Sequence, residues 1–433
     1  MKTTFKKIIA FILQIESRLV LWKYKPKVIA ITGSVGKTST KDAVYAVFSK
    51  IAYVRKSEKS FNSEIGLPLT VLGVPNGWNN PFKWLQNICK GFWLFIGPHK
   101  YPKWLVLEVG VSKPEDIKKT ASWLKTDAVI ITAIGETPAH IEFFDSRKHL
   151  IEEKSQLIKT LKKNGLLVLN VDDEAVLEMK AKTKNLIVTY GFKEGADILG
   201  SGDSISYNEY GEPEGVIFRI DEGGKSLPVI IDGVFGRNHV YASLAALALA
   251  SGLKLNMLTA IESLKNYDVP PGRMRLLKGI NDSLIIDDSY NSSPFACLSA
   301  LKTLSEIKCK ELICRKIAVL GDMLELGKHT IEAHKNVGKD AKENADILIV
   351  VGLRAKNIKI GAIEAGMTGE IIEFLDSHEA GNFLQTFVQK GDVVLIKGSQ
   401  GMRMERVVSA ILYDQENKSK LIVRQDIEWL NKK

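Results

Sequence analysis

The sequence predicts an α/β protein with two successive domains, each built on a mostly parallel sheet. Short apolar runs alternate with helical patterns along its 433 residues, which is typical of parallel strands covered by helices on both faces. A glycine-rich turn joins the first apolar run to a helix, and Pro270 and Pro271 separate a first alternating series from a second. We therefore predict a P-loop central domain followed by a smaller, Rossmann-like α/β C-terminal domain.

Strands are predicted where apolar runs are bounded by polar or glycine-rich segments. They are residues 28–32, 104–109, 128–132, 165–170 and 186–190 in the first series and 284–287, 316–320, 347–351 and 392–397 in the second. Residues 198–234 change to short segments punctuated by glycine, which predicts an antiparallel appendage. The predicted helices include residues 41–50, 239–252 and 257–267. The resulting boundaries are 1–25 for a basic amphipathic N-terminal helix, 26–268 for the central domain and 273–433 for the C-terminal domain.

The composition is that of an ordinary globular protein, with 45% hydrophobic and 25% charged residues. It excludes a disordered chain, a coiled coil and a fibrous repeat. The four cysteines, Cys89, Cys297, Cys309 and Cys314, form no CxxC pair and no zinc-type spacing. We therefore expect neither a disulfide scaffold nor a thiolate metal site, and a reducing, cytoplasmic compartment.

The net charge of +10 is concentrated near the N-terminus. Residues 1–30 contain seven Lys and Arg residues but a single acid, Glu16, so the body of the chain gives no reason to expect nucleic-acid binding. Residues 8–22 are apolar but interrupted by charges, and they are too short to span a bilayer. Two interpretations stay open: a helix packed on the first domain, or a basic amphipathic helix in peripheral contact with an anionic membrane at its inner face.

A dense group of aromatic residues lies between Trp78 and Trp104. Eight occur in 27 residues, whereas the whole chain is 8% aromatic. We expect this segment to form a buried subdomain. An apolar surface for a partner and a membrane-facing patch are the alternatives.

The turn TGSVGKTST (32–40) has the composition of a phosphate-binding loop. Backbone N–H groups of such a loop surround phosphate oxygens, and the following helix adds a favourable dipole. Lys37 is placed to reach the β- and γ-phosphates, and the Thr38 hydroxyl to hold Mg²⁺. The general pattern has a glycine at the position of Ile31, so this loop is a shortened variant. The predicted nucleotide contacts in this loop are Thr32, Gly33, Ser34, Gly36, Lys37, Thr38 and Ser39.

This loop resembles that of the Mur ligases, and four further stretches resemble the MurF type of that family. They are NSEIGLPLT (62–70), IDDSYN (286–291), AVLGDMLELG (318–327) and GDVVLIKGSQGMRME (391–405). The resemblance implies a monomeric, ATP-dependent carboxylate–amine ligase that adds D-Ala-D-Ala to a UDP-muramoyl tripeptide through an acyl phosphate, in cytoplasmic peptidoglycan precursor synthesis. Two alternatives are a Mur-like ligase acting on a lipid-linked or other carboxylate, and a nucleotide-binding homologue without catalysis.

The resemblance also implies a metal site and a catalytic set. Glu108, at the end of a buried strand, and His140 match the Mg²⁺ ligands of the family, together with Thr38. Lys154 falls where the family carries a lysine carbamylated by CO₂, a modification that turns an ammonium into an anionic metal ligand. Lys37, His140 and Lys154 are therefore the predicted catalytic residues.

In the C-terminal half, the resemblance implies nucleotide contacts from Arg273, Asp288 and Asn291. The residues expected on the side of the incoming amine and its acceptor are Asn62, Asp322, Glu325, Lys397 and Ser399. These assignments require the second domain to close on the first.

The sequence departs from the family pattern at three places. Only 32 residues precede Gly33, where MurF-type ligases carry a domain for the uridine nucleotide, so we expect that domain to be missing. The stretch near the adenine has His239 and Ala242 in place of two asparagines. His239 is still expected to contact the nucleotide by stacking or hydrogen bonding. The run 133–138 before His140 is longer by two residues, which predicts a bulged loop.

Overall fold

The computed structural model describes residues 3–58, 61–135, 141–308 and 314–430, which form two β-sheets. The nine strands of the first sheet are β1 (Lys27–Thr32), β2 (Val54–Lys56), β3 (Trp104–Glu108), β4 (Thr126–Ile131), β5 (Leu161–Asn170), β6 (Leu186–Gly191), β7 (Ile198–Tyr207), β8 (Pro213–Glu222) and β9 (Lys225–Asp232). Their order is β2-β3-β1-β4-β5-β6-β7-β8-β9, parallel as far as β7 and antiparallel from β7 to β9. The predicted antiparallel segment is present, and it extends the main sheet.

The second sheet follows the proline pair. Its six strands are β10 (Arg275–Lys278), β11 (Leu284–Asp288), β12 (Lys316–Gly321), β13 (Ile347–Val351), β14 (Ile371–Phe374) and β15 (Val393–Lys397). The order is β10-β11-β15-β12-β13-β14, with β10 antiparallel to β11 and all other neighbours parallel. The predicted fold class, a large mostly parallel sheet followed by a smaller α/β unit, is confirmed.

Helices connect the strands of both sheets. The α-helices are α1 (Thr3–Tyr24), α2 (Lys37–Ser49), α3 (Gly66–Leu72), α4 (Pro81–Ile96), α5 (Asp116–Ala121), α6 (Arg147–Ser155), α7 (Glu174–Leu177), α8 (Arg237–Gly252), α9 (Met257–Leu264), α10 (Pro294–Glu306), α11 (Thr330–Asn344), α12 (Lys356–Glu364), α13 (Ser377–Phe387), α14 (Glu405–Ile411), α15 (Lys418–Leu421) and α16 (Ile427–Leu430). Short 3-10 helices occur at Ile141–Phe143, Gln156–Thr160, Glu178–Lys182, Ile280–Asp282, Gly327–His329 and Gln400–Met402.

Both faces of the first sheet are covered because its strands are apolar on both sides. In β1, Ile29 and Ile31 belong to one core with α2 and α8, whereas Val28 and Ala30 belong to a second core with α1 and α3. Successive residues of a strand point to opposite faces, so a continuous apolar run requires helices on each. The second sheet is enclosed in the same way, by α10, α11 and α12 on one face and α13 and α14 on the other.

The strand register brings polar residues to the carboxyl ends of both sheets. β1 lies between β3 and β4, and its Ile31 is paired with Glu108 on β3. In the second sheet Asp288, at the end of β11, is paired with Lys397, at the end of β15. Ligands of open α/β sheets bind at this edge. The fold therefore places the predicted functional residues where such a site belongs.

The predicted N-terminal helix is present as α1, which packs on the first sheet. Within the described ranges, no helix combines the length and the apolar character needed to cross a membrane. The expectation that the aromatic segment is a buried subdomain is wrong for most of α4. Trp84 and Tyr101 are buried, but Phe82, Phe92 and Trp93 are exposed.

The cysteines differ in their state. Cys89 and Cys297 carry free thiols, whereas Cys314 is disulfide-bonded. Cys309 lies outside the described residues. The sequence analysis expected a reducing compartment and therefore no disulfide. A disulfide requires two Cα atoms that are close in space, and the spacing of cysteines along the sequence does not show this.

Candidate active site

A cavity of about 670 Å³ lies between the two sheets, and residues of both line it. The first sheet contributes the loop residues 34–39 with Asn62, Glu108 and Lys154. The second contributes residues 288, 290–293, 397 and 399–401, among others. Pockets for small molecules commonly enclose roughly 300–1,000 Å³. The cavity contains most of the residues predicted from the sequence and is the candidate active site.

The phosphate loop follows β1 and turns sharply into α2. Gly33 has a φ of +149°, and a Cβ at this position would collide with the Thr132 hydroxyl, so the turn requires glycine. Gly36, with a φ of +82°, is the N-cap of α2 and offers no side chain to cap it. The first residues of α2, 37–39, line the cavity. Free N–H groups and the positive end of the helix dipole make this terminus a site for an anion.

Two lysine side chains converge on the loop. Lys37 Nζ donates to the carbonyl oxygens of Gly33 at 2.9 Å and Ser34 at 3.3 Å. Lys154 Nζ, on α6, donates to the same Gly33 oxygen at 2.9 Å and is buried. Burial lowers the pKa of Lys37. Burial and the neighbouring Lys37 charge lower the pKa of Lys154 well below its ordinary value. Of the two lysines, Lys154 is therefore the one whose neutral form is favoured more strongly.

Glu108 ends β3 with its carboxylate buried beside the loop. Its Oε1 accepts from Asn62 Nδ2 at 3.2 Å, and its Oε2 lies 3.6 Å from Lys41 Nζ. Burial by itself raises the pKa of the Glu108 carboxyl, but the charges of Lys41 and Lys37 outweigh it, and the pKa is lowered. The structure therefore keeps an anion at this place. Lys41 was not predicted; its signal is the spacing of four from Lys37, which puts both on one face of α2.

The oxygen donors around the loop fit a magnesium ion, which prefers carboxylate and hydroxyl ligands. Glu108 Oε2 is buried without a hydrogen-bond partner, as are the hydroxyls of Thr32 and Ser34, although buried polar groups normally have one. Thr38 lines the same cavity. His140, the remaining predicted ligand, lies outside the described residues. Among the residues that are described, no three His, Cys, Asp or Glu side chains cluster as a metal site.

His239 lines the cavity, but both of its ring nitrogens are already hydrogen-bonded. Nδ1 pairs with the Tyr267 hydroxyl at 3.0 Å, and Nε2 with the backbone oxygen of Arg273 at 2.7 Å. Burial lowers the pKa of His239 to about 4, so the ring is neutral. The Nε2 bond ties α8 to the segment entering the second sheet. The contact of His239 with the nucleotide stays a prediction.

Charged residues of the second sheet face the loop across the cavity. Lys397 Nζ and Asp288 Oδ2 form a buried ion pair of 2.5 Å, and Lys397 also donates to the backbone oxygen of Asn291 at 3.1 Å. The Arg273 guanidinium lies over the Tyr290 ring, 4.0 Å from its centroid. All five residues line the cavity. The structure thus brings Arg273, Asp288, Asn291 and Lys397 together.

The other residues predicted on the amine side are divided. Ser399 lines the cavity, and its Oγ accepts from the backbone N–H of Leu324 at 2.8 Å. Glu325, which has a φ of +62°, also lines it. Asp322 is not part of the lining, because its Oδ1 accepts from the backbone N–H of Ala355 at 2.7 Å, just before α12. Asp322 thus supports the wall of the cavity, and its contact with substrate stays a prediction.

Two lining residues near the C-terminal end, Arg403 and Trp429, were not predicted. Buried Glu405 accepts from Arg403 at 2.5 Å and from Arg424 at 2.9 Å. Arg424 also donates to the backbone oxygen of Tyr290. This network attaches the end of the chain to the second sheet beside the cavity. Arg403 and Glu405 are close in sequence, but the Arg424–Tyr290 contact joins residues 134 positions apart, so no local pattern predicts it.

Two family models match the chain. The model of the Mur ligase middle domain matches residues 31–250, and that of the Mur ligase glutamate ligase domain matches residues 272–400. Two relatives are named UDP-N-acetylmuramoyl-tripeptide–D-alanyl-D-alanine ligase. That of Bacillus subtilis is 29% identical over 406 residues, which are 92% of this chain and 79% of the relative. That of a Synechocystis species is 30% identical over 387 residues, which are 89% and 74%.

Solved structures agree with these matches. A MurF ligase from Thermotoga maritima in complex with ADP superposes with a TM-score of 0.75 at 27% identity, covering 93% of this chain and 83% of that one. MurF from Acinetobacter baumannii gives the same TM-score at 23% identity and supports the fold, covering 92% of this chain and 79% of that one. Because a family model spans half of the sequence and the relatives extend over most of it, the chain belongs to the Mur ligase family.

Proposed function

We propose that this chain is an ATP-dependent ligase of the MurF type, which joins D-Ala-D-Ala to a UDP-muramoyl tripeptide. One observation carries the proposal: a phosphate loop with two converging lysines faces a buried Asp–Lys pair of the second sheet across one cavity. The relatives are named for this reaction, and one neighbouring structure holds ADP. We assign the reaction to peptidoglycan precursor synthesis in the cytoplasm, where it supports cell shape and division.

The reaction has two steps. The γ-phosphoryl group of ATP moves to the carboxylate of the tripeptide, and ADP leaves. The amine of D-Ala-D-Ala then attacks the acyl carbon, loses a proton to solvent, and phosphate leaves. Negative charge is spread over phosphoryl oxygens in both steps, so positioned cations and N–H donors are the main catalytic devices. Lys37 and the N-terminus of α2 are the groups that we assign to this role.

Magnesium fits the oxygen donors of Glu108 and Thr38. When bound, it neutralises phosphate charge and orients the γ-phosphoryl group. Lys41 and Asn62 hold the Glu108 carboxylate in its ionised, fixed state. We assign to Arg273, Asp288 and Asn291 the nucleotide contacts of the second sheet. Glu325, Lys397 and Ser399 are the residues that we assign to the incoming amine.

A carbamate at Lys154 is part of the proposal. CO₂ reacts with a neutral amine, and burial together with the Lys37 charge lowers the pKa of Lys154 well below its ordinary value, which favours that neutral form. The product is an anion, and the adjacent Lys37 charge stabilises an anion at this position. In that form Lys154 becomes an oxygen ligand that complements Glu108.

The test is phosphate release from ATP and Mg²⁺ in the presence of D-Ala-D-Ala and UDP-muramoyl tripeptide, with either lysine or diaminopimelate as third residue. We expect turnover that requires both substrates, and a product whose mass is that of the two substrates together less one water. Lys37→Met abolishes turnover, whereas Lys50→Met, at the exposed end of the same helix, leaves it intact. The proposal is contradicted if phosphate release is the same with and without D-Ala-D-Ala, or if no phosphate is released with either tripeptide.

A further inference from the structure

Helices α1 and α4 lie side by side on the first sheet as a fixed pair. A Cβ at Gly91 of α4 would collide with the Glu16 carboxylate of α1, so the two helices touch closely there. Lys23 of α1 donates to the backbone oxygens of Phe95, at 2.7 Å, and Gly97 at the end of α4. The contacts come in the same order along both helices, so the helices run in the same direction.

Each of these helices carries an exposed apolar stripe. On α1 it consists of Phe5, Ile8, Phe11, Ile15, Leu19 and Trp22, and on α4 of Phe82, Leu85, Phe92, Trp93 and Ile96. On α1 spacings of three and four residues put the set on one face. On α4 a turn of roughly 100° per residue puts all five residues within an arc of about 100°. Trp22, Phe82 and Trp93 are 71%, 81% and 64% exposed, although aromatic residues of this size are usually well buried. We call the two stripes together the α1–α4 platform.

Cations border the platform. A helix turns by roughly 100° per residue. Around the axis of α1, the stripe therefore lies next to the residues that face α4, and Lys7 and Arg18 lie on the other side of the stripe. Lys83 and Lys90 occupy the corresponding far side on α4. All four are exposed. The one acid of the two helices, Glu16, is turned into their contact, so the platform presents apolar and positive groups without an exposed carboxylate.

We propose that the α1–α4 platform is a docking surface for an anionic lipid bilayer. The apolar stripes enter the boundary between acyl chains and headgroups, with Trp22 and Trp93 at the depth that tryptophan prefers. The bordering lysines and arginine contact anionic headgroups. A second copy of the chain fits this surface less well, because two platforms that face each other bring their rows of lysine and arginine close together, and like charges repel.

Docking in this way does not involve the residues of the catalytic cavity. None of the described residues that line the cavity belongs to α1 or α4. The platform therefore restrains the protein at the surface without occupying the site, and its function does not depend on which carboxylate the enzyme uses.

The test is flotation of the full chain with vesicles of phosphatidylcholine and phosphatidylglycerol in equal amounts, compared with phosphatidylcholine alone. We expect binding to the mixed vesicles that weakens with salt. A triple variant, Trp22→Ser, Phe82→Ser and Trp93→Ser, lowers the partition coefficient at least tenfold. The matched control, Leu258→Ser, Ile331→Ser and Leu353→Ser, changes similarly exposed apolar side chains elsewhere and leaves binding unchanged. Lys83→Gln and Lys90→Gln each lower the partition coefficient about fivefold, because each cation near an anionic surface contributes about 1 kcal/mol to binding.

A second readout separates insertion from surface adsorption. Brominated lipids quench tryptophan fluorescence, and Trp22→Phe with Trp93→Phe removes the quenched component while binding persists. Absence of binding to the anionic vesicles overturns the proposal, as does equal loss of binding in the triple variant and its control. Sedimentation of the protein alone covers the remaining case: a dimer that dissociates in the triple variant shows that the platform binds a second copy instead.

Discussion

The Lys41–Glu108 pair makes a quantitative prediction about the candidate metal ligand. The two charged atoms are 3.6 Å apart, and both side chains are 3% exposed. With an effective dielectric constant of about 20, the Coulomb attraction at this distance is about 4–5 kcal/mol. Lys41→Met leaves a buried carboxylate with Asn62 and the more distant Lys37 charge. We therefore expect a loss of about 3 kcal/mol in the free energy of unfolding.

A double-mutant cycle with Glu108→Gln isolates the pair from the other effects of each change. The variant with both substitutions has neither buried charge, so it loses less than the sum of the single losses. We expect a coupling energy of about 2 kcal/mol in urea unfolding at neutral pH. The matched control is Lys335–Glu364, which links α11 to α12 at 2.6 Å but is 32% and 47% exposed. Its coupling stays below about 1 kcal/mol because water screens the charges.

The pH dependence follows from the direction of the pKa shift. The pKa of Glu108 in the folded protein lies below its ordinary value of 4.5. Its stabilising contribution is therefore complete above pH 4.5 and is lost as the pH falls through the folded value. A coupling at neutral pH no larger than that of Lys335–Glu364 would refute the reasoning. So would an unchanged Mg²⁺ dependence of ATP binding in Lys41→Met, since that variant weakens the hold on the ionised carboxylate.

Three further predictions concern titratable groups. Lys154→Ala abolishes phosphate release, and formate or acetate restores part of it; failure of rescue at every concentration counts against the carbamate. His239 has a pKa lowered from 6.5 to about 4, so from pH 6.5 down to 4 the wild type loses about 2–3 kcal/mol more unfolding free energy than His239→Gln; parallel curves would exclude a buried neutral ring. Glu16 has a pKa raised from 4.5 to about 7, so its ionisation destabilises the fold as the pH rises through that range. In urea unfolding, the wild type therefore loses about 1–2 kcal/mol of unfolding free energy relative to Glu16→Gln over this pH range, a value reduced for the water beside the helix pair. Equal pH dependence of the two proteins would contradict burial of the carboxyl.

The fold and the phosphate loop could be predicted because their signals are local. A buried strand needs a run of apolar residues, and β1, β3, β4 and β13 each have one. The turn at Gly33 requires a glycine, and the lysine and hydroxyl residues follow within one turn of helix. Short edge strands lack this signal. β10 and β14 have four residues each, and both lie at an edge of the second sheet, so their sequences carry no continuous apolar run.

Tertiary contacts account for what the sequence did not reveal. Lys41 was missed because its importance depends on β3 placing Glu108 beside β1. The exposure of Trp93 was missed because aromatic density by itself favours burial. The bond from the backbone N–H of Ala355 to the Asp322 carboxylate was not predicted, because it depends on the position of α12. For Lys41 and Asp322 the deciding partner, Glu108 or Ala355, lies far away along the chain, and residue spacing does not identify it.

His239 shows how the two edges of the site depend on one connection. The phosphate loop belongs to the first sheet and the Asp288–Lys397 pair to the second, and both edges face one cavity. Nε2 of His239 is bonded to the backbone oxygen of Arg273, whose side chain lies against Tyr290 in that cavity. Loss of this bond leaves the phosphate loop intact but frees the position of Arg273. We therefore expect substitution of His239 to weaken nucleotide affinity more than it alters the chemical step, because the groups that we assign to the transferred phosphoryl remain in place.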